Sequence, residues 1–558
     1  MKELSKEILN TYNLWRTDER FDKETRDELN KPMTNEEIED RFWRDLEFGT
    51  GGLRGVMGAG TNRMNKYIIR KATKGFADYL INKYGKDVCR GVAIGYDSRN
   101  NSDVFAREAA LVMCASGIKT YLFDYLAPTP TLSFTVRELG CVGGIVVTAS
   151  HNPREYNGYK VYDSDGCQVL ENDANAIIKY VNAITDIPAI PVANEDEARA
   201  SGLLVSVDDS VYTKFCESVK LQAHDIGVKS AKIVYTPLHG TGNVPVRRVL
   251  SELGYDVTVV DEQVEKNGDF PTVVSPNPEN AEALSMGIKL CEKIGADLIL
   301  GTDPDCDRVG IAVNTKDGMK LFTGNQVGAL LVDYVIKMNR AQLNEKSTVI
   351  KTIVTSELGA IIAKKNGLNV IETLTGFKFI GDKMNTFERE GNGEFVIGYE
   401  ESYGYLVGTH ARDKDAVVAS MLICEMACYY KNQGKTLVDV MEEIYKTYGY
   451  FLDKLDSYTL KGIDGVERIR AIMKEMRAKG KDLLPGIAKV NDYTVGIDDL
   501  PKADVLKFVF EDSSWIAIRP SGTEPKIKVY YSVKGENKDD AQKVLEARQG
   551  VINSIINA

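Results

Sequence analysis

A chain of 558 residues is too long for one core and points to three or four domains, and 43% hydrophobic with 27% charged side chains excludes disordered and fibrous classes. The formal net charge of −11 excludes a general nucleic-acid binder, which needs a basic field, and forces any site for small anions to gather Arg and Lys locally. The nine cysteines form no metal-ligand pairs and are odd in number, with Cys424 and Cys428 spaced to share a buried helix face; a reduced, cytoplasmic setting fits them best. The charged, helix-patterned N-terminus has no signal-peptide core, and no apolar run reaches bilayer length, since even residues 329–336 contain Asp333.

Strand-like and helix-like runs alternate along most of the chain, which predicts parallel α/β layers. The first unit has a strand over 91–96 and a helix over 103–116, with Ser102 as its cap and Gly117 at its end. Strands over 119–123 and 144–148 follow. The second unit runs from a strand over 232–235, through helices over 244–253 and 280–293, to strands over 297–300 and 309–313. The third holds a helix after Gly324, strands over 348–354, 369–372 and 394–399, a helix over 357–365 and a long helix from about Asp415. Past Tyr450 short strands mix with helices, and the chain closes on a helix over 540–556. The expected fold class is α/β: three successive mixed- or parallel-sheet α/β domains plus a smaller C-terminal α+β domain. Their expected bounds are 1–205, 206–320, 321–450 and 451–558.

Five stretches can carry chemistry. Thr148-Ala-Ser-His-Asn-Pro153 follows a buried-looking strand, where α/β proteins place reactive groups, so Ser150 is a candidate nucleophile. In an extended segment His151 would point away from Ser150, which argues against a direct couple. The Gly-x-Ser-x-Gly elbow of serine hydrolases is absent, and a turn rich in Asn and Gly is expected at Asn157 and Gly158. In Gly301-Thr-Asp-Pro-Asp-Cys-Asp-Arg308, Asp303, Asp305 and Asp307 can converge on one hard cation, most simply Mg²⁺, with Arg308 left to hold a phosphate or balance charge. An EF-hand is excluded because Arg308 stands where that loop turns on Gly and Asn314 where it needs Glu. Arg519-Pro-Ser-Gly-Thr-Glu524 offers a guanidinium, two hydroxyls and a glycine turn, the makings of an anion cradle. Phe48-Gly-Thr-Gly-Gly-Leu-Arg-Gly55 is a glycine-rich loop with Arg54. Glu400, Glu401 and Ser402 follow a strand and suit vicinal sugar hydroxyls, with Thr375-Gly-Phe-Lys378 in the same unit. A Walker loop is rejected, since Tyr429 stands where the first glycine before Gly434-Lys435-Thr436 must be.

In this order the motifs resemble the α-D-phosphohexomutase family, and within it the bacterial phosphoglucomutase/phosphomannomutase branch, from about Phe42 to Lys528. Pro128-Thr-Pro130 matches as well, while Tyr399 departs from the commoner Gly-Glu-Glu form of the sugar loop. The resemblance implies four domains in a heart shape, each supplying a loop to a central cleft. It implies a mutase of glucose 1-phosphate and glucose 6-phosphate that works through phosphorylated Ser150 and glucose 1,6-bisphosphate. One Mg²⁺ would be held by Ser150, Asp303, Asp305 and Asp307. Lys160, Arg54 and His410 match catalytic positions. His151, Arg308, Thr375, Gly376, Lys378, Glu400, Ser402 and Lys414 match substrate positions, and Arg519, Ser521, Gly522 and Thr523 match the phosphate clamp. The expected partners are small sugar phosphates, with no nucleic acid or membrane, for a monomer or weak dimer. The competing readings are a mutase for mannose or pentose phosphates, a glucose 1,6-bisphosphate synthase, and a non-catalytic sugar-phosphate-binding relative. That last kind need not retain Ser150, the aspartates and Arg519 together.

Overall fold

The structure, a computed structural model, describes residues 3–49, 51–460, 463–497, 499–520 and 526–557. The chain forms two compact units. One comprises Met1–Leu321, Gly381–Arg389 and Gly404–Tyr429; the other comprises Phe322–Ile380, Glu390–Tyr403 and Tyr430–Ala558.

The first unit contains two mixed sheets. Its N-terminal sheet runs in the order Gly52–Val56, Tyr156–Tyr162, Gly143–Val147, Val92–Tyr96, Thr120–Leu122, Leu204–Ser206. The last four strands are parallel, and the first two are antiparallel additions at one edge. Gly143–Val147 is buried at every position because helices cover both faces, which is why it reads as an unbroken apolar run. The long helix Lys66–Tyr84 starts where the Asn65 side chain accepts from the Tyr67 and Ile68 amides, and ends at Gly85 with φ of 55°. The second sheet has the order Gly318–Leu321, Val309–Thr315, Leu298–Thr302, Lys232–Thr236, Asp256–Val259. Its last three strands are parallel and its first two antiparallel.

In the second unit the strands Asn369–Thr373, Ser347–Thr352 and Glu394–Tyr399 lie parallel in that order. The C-terminal sheet is antiparallel throughout, in the order Tyr450–Thr459, Lys526–Gly535, Trp515–Pro520, Leu506–Phe510, Ile487–Asp492. One of its faces packs on the helices Ile463–Lys479 and Lys538–Asn557, and the other on Ile353, Val354 and Leu374. These four sheets carry the expected class of three α/β domains and a smaller α+β domain.

Most expected elements lie within two residues of those observed, but three local expectations are corrected. Ser102 is the first residue of its helix rather than the cap: Asn101 holds the cap position in a left-handed conformation, and the Ser102 hydroxyl instead donates to Asp97 at 2.7 Å. The glycine-rich stretch around Arg54 is largely a strand, with Arg54 opposite Gly158 and Gly52 opposite Lys160. Asn157 and Gly158 likewise belong to a strand, Tyr156–Tyr162, and not a turn. Here the glycines allow close approach: a Cβ on Gly158 would lie 2.4 Å from the Thr148 carbonyl oxygen. All nine cysteines are free, with Cys424 and Cys428 both buried. Among the described residues no helix is long and apolar enough to cross a membrane.

Candidate active site

The buried strand Gly143–Val147 delivers Ser150 just past its C-terminal end, with φ of 52°, a left-handed conformation that costs a non-glycine residue energy. Several bonds hold it there. The Ser150 amide donates to Thr148 Oγ1 at 2.8 Å, and that hydroxyl donates to buried Asp97 at 2.7 Å. Arg99, whose side chain is wholly buried, pairs with Asp97 at 3.3 Å. Its guanidinium donates to the carbonyls of Ser150, Asn152, Pro153 and Tyr156. The whole serine loop thus hangs on one cation.

The left-handed turn overturns the expectation that Ser150 and His151 point apart. Ser150 Oγ and His151 Nδ1 are 3.2 Å from one another. Side chains alternate across an extended strand, but the backbone at Ser150 is not extended. Burial, and then the Arg308 and Arg54 charges, hold His151 well below the usual imidazole range. A neutral His151 can accept a proton at Nδ1.

The buried strand Leu298–Thr302 leads into the aspartate loop, which turns at Cys306 with φ of 53°. Asp303 Oδ1 accepts the amides of Asp307 and Arg308 at 3.1 and 3.0 Å, and its Oδ2 accepts the Ser150 hydroxyl at 2.8 Å. Asp303, Asp305 and Asp307 are all buried, with ligand atoms within 4.8 Å of one another. Asp305 Oδ1 and Asp307 Oδ1 are enclosed and carry no hydrogen bond among the described residues. Such oxygens demand positive charge, and an all-carboxylate donor set fits a hard divalent cation.

Two ammonium groups supply part of that charge. Lys160 Nζ lies 2.8 Å from Asp305 Oδ2 and 3.3 Å from Asp307 Oδ2, and Lys414 Nζ lies 3.2 Å from Asp307 Oδ2. Burial alone would raise the Asp305 carboxyl; Lys160 overrules it and brings the group below its ordinary range. Asp303 has no such ammonium, so burial and the two neighbouring carboxylates push it well up. Arg308 pairs with Glu279 Oε1 at 2.6 Å and reaches within 3.9 Å of Asp307. Arg54 donates to the Asn152 side chain at 3.3 Å. His410 lies 2.8 Å from Asp415, which caps the helix Ala416–Lys431, and beside the Phe215 ring. Among the described residues those contacts do not reach Ser150 or the three aspartates.

In the second unit Glu400 is 5% exposed and accepts the Gly376 amide at 3.0 Å. Gly376 has φ of 121°, which requires glycine. Glu401 accepts the hydroxyls of Thr352 and Thr355, each at 3.3 Å. Tyr399 is fully buried, in space left by Gly328 and Gly359, where a Cβ would come within 2.4 Å and 2.1 Å of it. The Thr375 hydroxyl is buried without a hydrogen bond among the described residues, Ser402 is half-buried, and the Lys378 ammonium sits 5.4 Å from the Phe379 ring centre. Arg519 stands on the strand Trp515–Pro520 and hydrogen-bonds Tyr530, whose hydroxyl also feels the Glu401 and Glu400 charges. Ser521, Gly522 and Thr523 lie outside the described residues.

The sequence reading missed Asp97, Arg99, Tyr530 and the role of Thr129. Thr129 bonds Asp305 twice, from its amide to the carbonyl and from its hydroxyl to Oδ2, each at 2.9 Å. The signal for Asp97 and Arg99 was available: Tyr96-Asp-Ser-Arg99 sets an acid and a base directly after an apolar strand.

Comparison with known proteins bears on this arrangement. The family descriptions for phosphoglucomutase/phosphomannomutase alpha/beta/alpha domains I, II and III match residues 45–187, 210–318 and 323–448, and that for the C-terminal domain matches residues 464–549. The chain belongs to the phosphoglucomutase/phosphomannomutase family. It is 37% identical over 536 residues to a phosphoglucomutase of Staphylococcus epidermidis, spanning 92% of this chain and 96% of the relative. It is 38% identical over 528 residues to one of Staphylococcus aureus, spanning 91% and 94%. Among solved structures, parafusin, an exocytosis-sensitive phosphoprotein and phosphoglucomutase of Paramecium, shares the fold with a TM-score of 0.69 at 19% identity, over 91% of this chain and 95% of that one. A phosphomannomutase fold from Thermus thermophilus matches with a TM-score of 0.66 at 23% identity, over 90% and 99%.

Proposed function

We infer that this chain is an isomerase carrying out the phosphoglucomutase reaction, the interconversion of glucose 1-phosphate and glucose 6-phosphate through a phosphoserine at Ser150. The relatives' names support glucose as the sugar. The observation that carries the mechanism is the Ser150 hydroxyl, bonded at 2.8 Å to Asp303 within a buried carboxylate triad. The four expected parts, 1–205, 206–320, 321–450 and 451–558, would contribute the serine, aspartate, sugar and phosphate loops in turn.

In the forward half-reaction O6 of glucose 1-phosphate attacks the phosphoryl group on Ser150. The P–Oγ bond breaks, the P–O6 bond forms, the O6 proton passes to His410 and Oγ takes up a proton in turn, while Lys160, already an ammonium against Asp305 and Asp307, balances charge. In the second half Ser150 Oγ attacks the phosphorus at C1 of glucose 1,6-bisphosphate, and O1 leaves and takes up a proton. The Ser150 proton has two acceptors within reach, Asp303 Oδ2 and neutral His151. Arg54 and Arg308 would balance charge on the transferring group. Glu400, Ser402, Thr375, Gly376, Lys378 and Lys414 would hold the sugar, and Arg519, Ser521, Gly522 and Thr523 the phosphate at its other end. Asp303, Asp305, Asp307 and the phosphoserine would hold one Mg²⁺, whose charge would neutralise the phosphoryl oxygens.

A coupled assay with glucose 1-phosphate, Mg²⁺ and trace glucose 1,6-bisphosphate tests this reading, beside mannose 1-phosphate and ribose 1-phosphate. Fastest turnover on glucose 1-phosphate is expected; a faster rate on either rival reassigns the sugar. Intact-mass measurement of protein from cells is expected to show a partial phosphate adduct mapping to Ser150. No adduct and no turnover would leave a sugar-phosphate-binding relative.

A further inference from the structure

Burying an ammonium group is costly unless carboxylates meet it, so two buried lysines sharing the same carboxylate oxygens mark a built contact. Lys351, on the strand Ser347–Thr352, is fully buried, and its Nζ donates to Glu372 Oε1 at 2.6 Å and Glu357 Oε1 at 3.0 Å. Lys507, on the strand Leu506–Phe510 of the C-terminal sheet, is 3% exposed. Its Nζ lies 3.6 Å and 3.7 Å from those same two oxygens, beside the Trp515 ring at 4.7 Å. Two cations thus balance two anions. Lys351, Glu357 and Glu372 come from the parallel sheet and its helix; Lys507 alone comes from the other sheet.

The cluster adjoins the Thr375–Gly376 loop in the chain, and through it the Glu400 loop. Glu372 is the penultimate residue of the strand Asn369–Thr373, which leads into Thr375 and Gly376, and the Gly376 amide donates to Glu400. Lys507 stands opposite Ala517 in register. Trp515, Ala517 and Arg519 alternate onto one face of their strand. Trp515 and Ala517 on that face pack with Ile353, Val354 and Leu374. The face that carries Arg519 is therefore the face pinned to the loops of the parallel sheet.

We propose that Lys507 is a positioning residue: by completing the Lys351–Glu357–Glu372 cluster it fastens the C-terminal sheet to the parallel sheet and sets Arg519 against the Glu400 loop for a sugar phosphate. This rests on the mutase reading above. Without the ammonium the cluster keeps an uncompensated buried negative charge, and the sheets separate to let water reach it. A displacement of about 1 Å at a phosphate clamp is enough to weaken binding strongly.

The test is calorimetric binding of glucose 6-phosphate, followed by steady-state kinetics. Lys507→Met is expected to raise the Kd, and the KM for glucose 1-phosphate, about tenfold while kcat changes far less, and Lys507→Arg to restore both to near wild type. Arg519→Ala combined with Lys507→Met is expected to bind no worse than Arg519→Ala alone, because Lys507 acts through Arg519. Additive losses, or a Kd unmoved in folded Lys507→Met, overturn the proposal. If Lys507→Met does not fold, Glu372→Gln carries the same expectation and the same refutation. Wild-type protein that binds but does not turn over refutes the mutase reading, and the binding series still decides the role of Lys507.

Discussion

Ser150 Oγ donates to Asp303 Oδ2 at 2.8 Å across a separation of 153 residues. The two loops come from different sheets, and each bends through a left-handed non-glycine residue, Ser150 on one side and Cys306 on the other. Strain at both tips is held by surrounding bonds: the Arg99 carbonyl contacts on the serine side, and the Asp307 and Arg308 amides on Asp303.

Replacing the proposed phosphoryl carrier tests the chemistry directly. Ser150→Ala is expected to cut turnover on glucose 1-phosphate on the order of 10⁴-fold or more, with the phosphate adduct gone from the intact-mass spectrum. Turnover within tenfold of wild type would show that another group carries the phosphoryl.

Arg99 touches no reacting atom, yet the serine loop hangs on it. Arg99→Met leaves Asp97 buried without its cation and frees the loop carbonyls, at a cost of about 3–5 kcal/mol. The melting temperature is expected to fall by several degrees and kcat by at least tenfold. Arg99→Lys is expected to rescue stability in part but not kcat, because one ammonium cannot span the carbonyls a planar guanidinium reaches. Equal recovery of both by Lys would show that only the charge matters.

Cation binding is separable from turnover. Three buried carboxylates that repel one another are stabilised by any ion they hold, so millimolar Mg²⁺ is expected to raise the melting temperature of the wild type, and chelation to abolish both that rise and turnover. Asp307→Asn should lose most of the Mg²⁺-induced shift. A shift that persists undiminished in this variant would place the cation elsewhere.

Asp453 supplies a pH signature away from the chemistry. Burial pushes its carboxyl up to about 6 from the usual 3.8, and the Ser532 and Ser356 hydrogen bonds offset this only in part. Below pH 3.8 the folded and unfolded states are both protonated and the group is neutral to stability. As pH rises toward 6 the unfolded chain ionises first, so stability falls, by at most about 3 kcal/mol, and the penalty is complete above pH 6. Asp453→Asn is therefore expected to melt higher than wild type at pH 7 and to converge with it near pH 4. A variant that melts lower at pH 7 would show the ionised carboxylate to be stabilising.

Much of the site was legible because its residues follow apolar strands: the runs before Ser150, Asp303 and Glu400 announced strand ends, and strand ends in α/β sheets carry function. Period-two reasoning sets Ser150 and His151 apart because it assumes an extended backbone, and one left-handed residue breaks that assumption. Glycines suggest a loop at Arg54 and a turn at Asn157 and Gly158, whereas they serve close strand packing. Lys507 and Tyr530 gave no local signal, since each looks like an ordinary residue of an antiparallel strand.

Composition and strand-and-helix periodicity were enough to read the fold class, and the order of the loops, through the family it resembles, singles out Ser150 and the three aspartates as candidates. Only the tertiary structure decided which groups share a proton or a charge: His151 with Ser150, Lys160 with Asp305, Lys507 with Glu372. The reason is physical. Periodicity is a local property written by neighbours in the chain, whereas pairing in a buried site depends on distances between residues far apart in sequence, and on a dielectric that exists only once the core has closed around them.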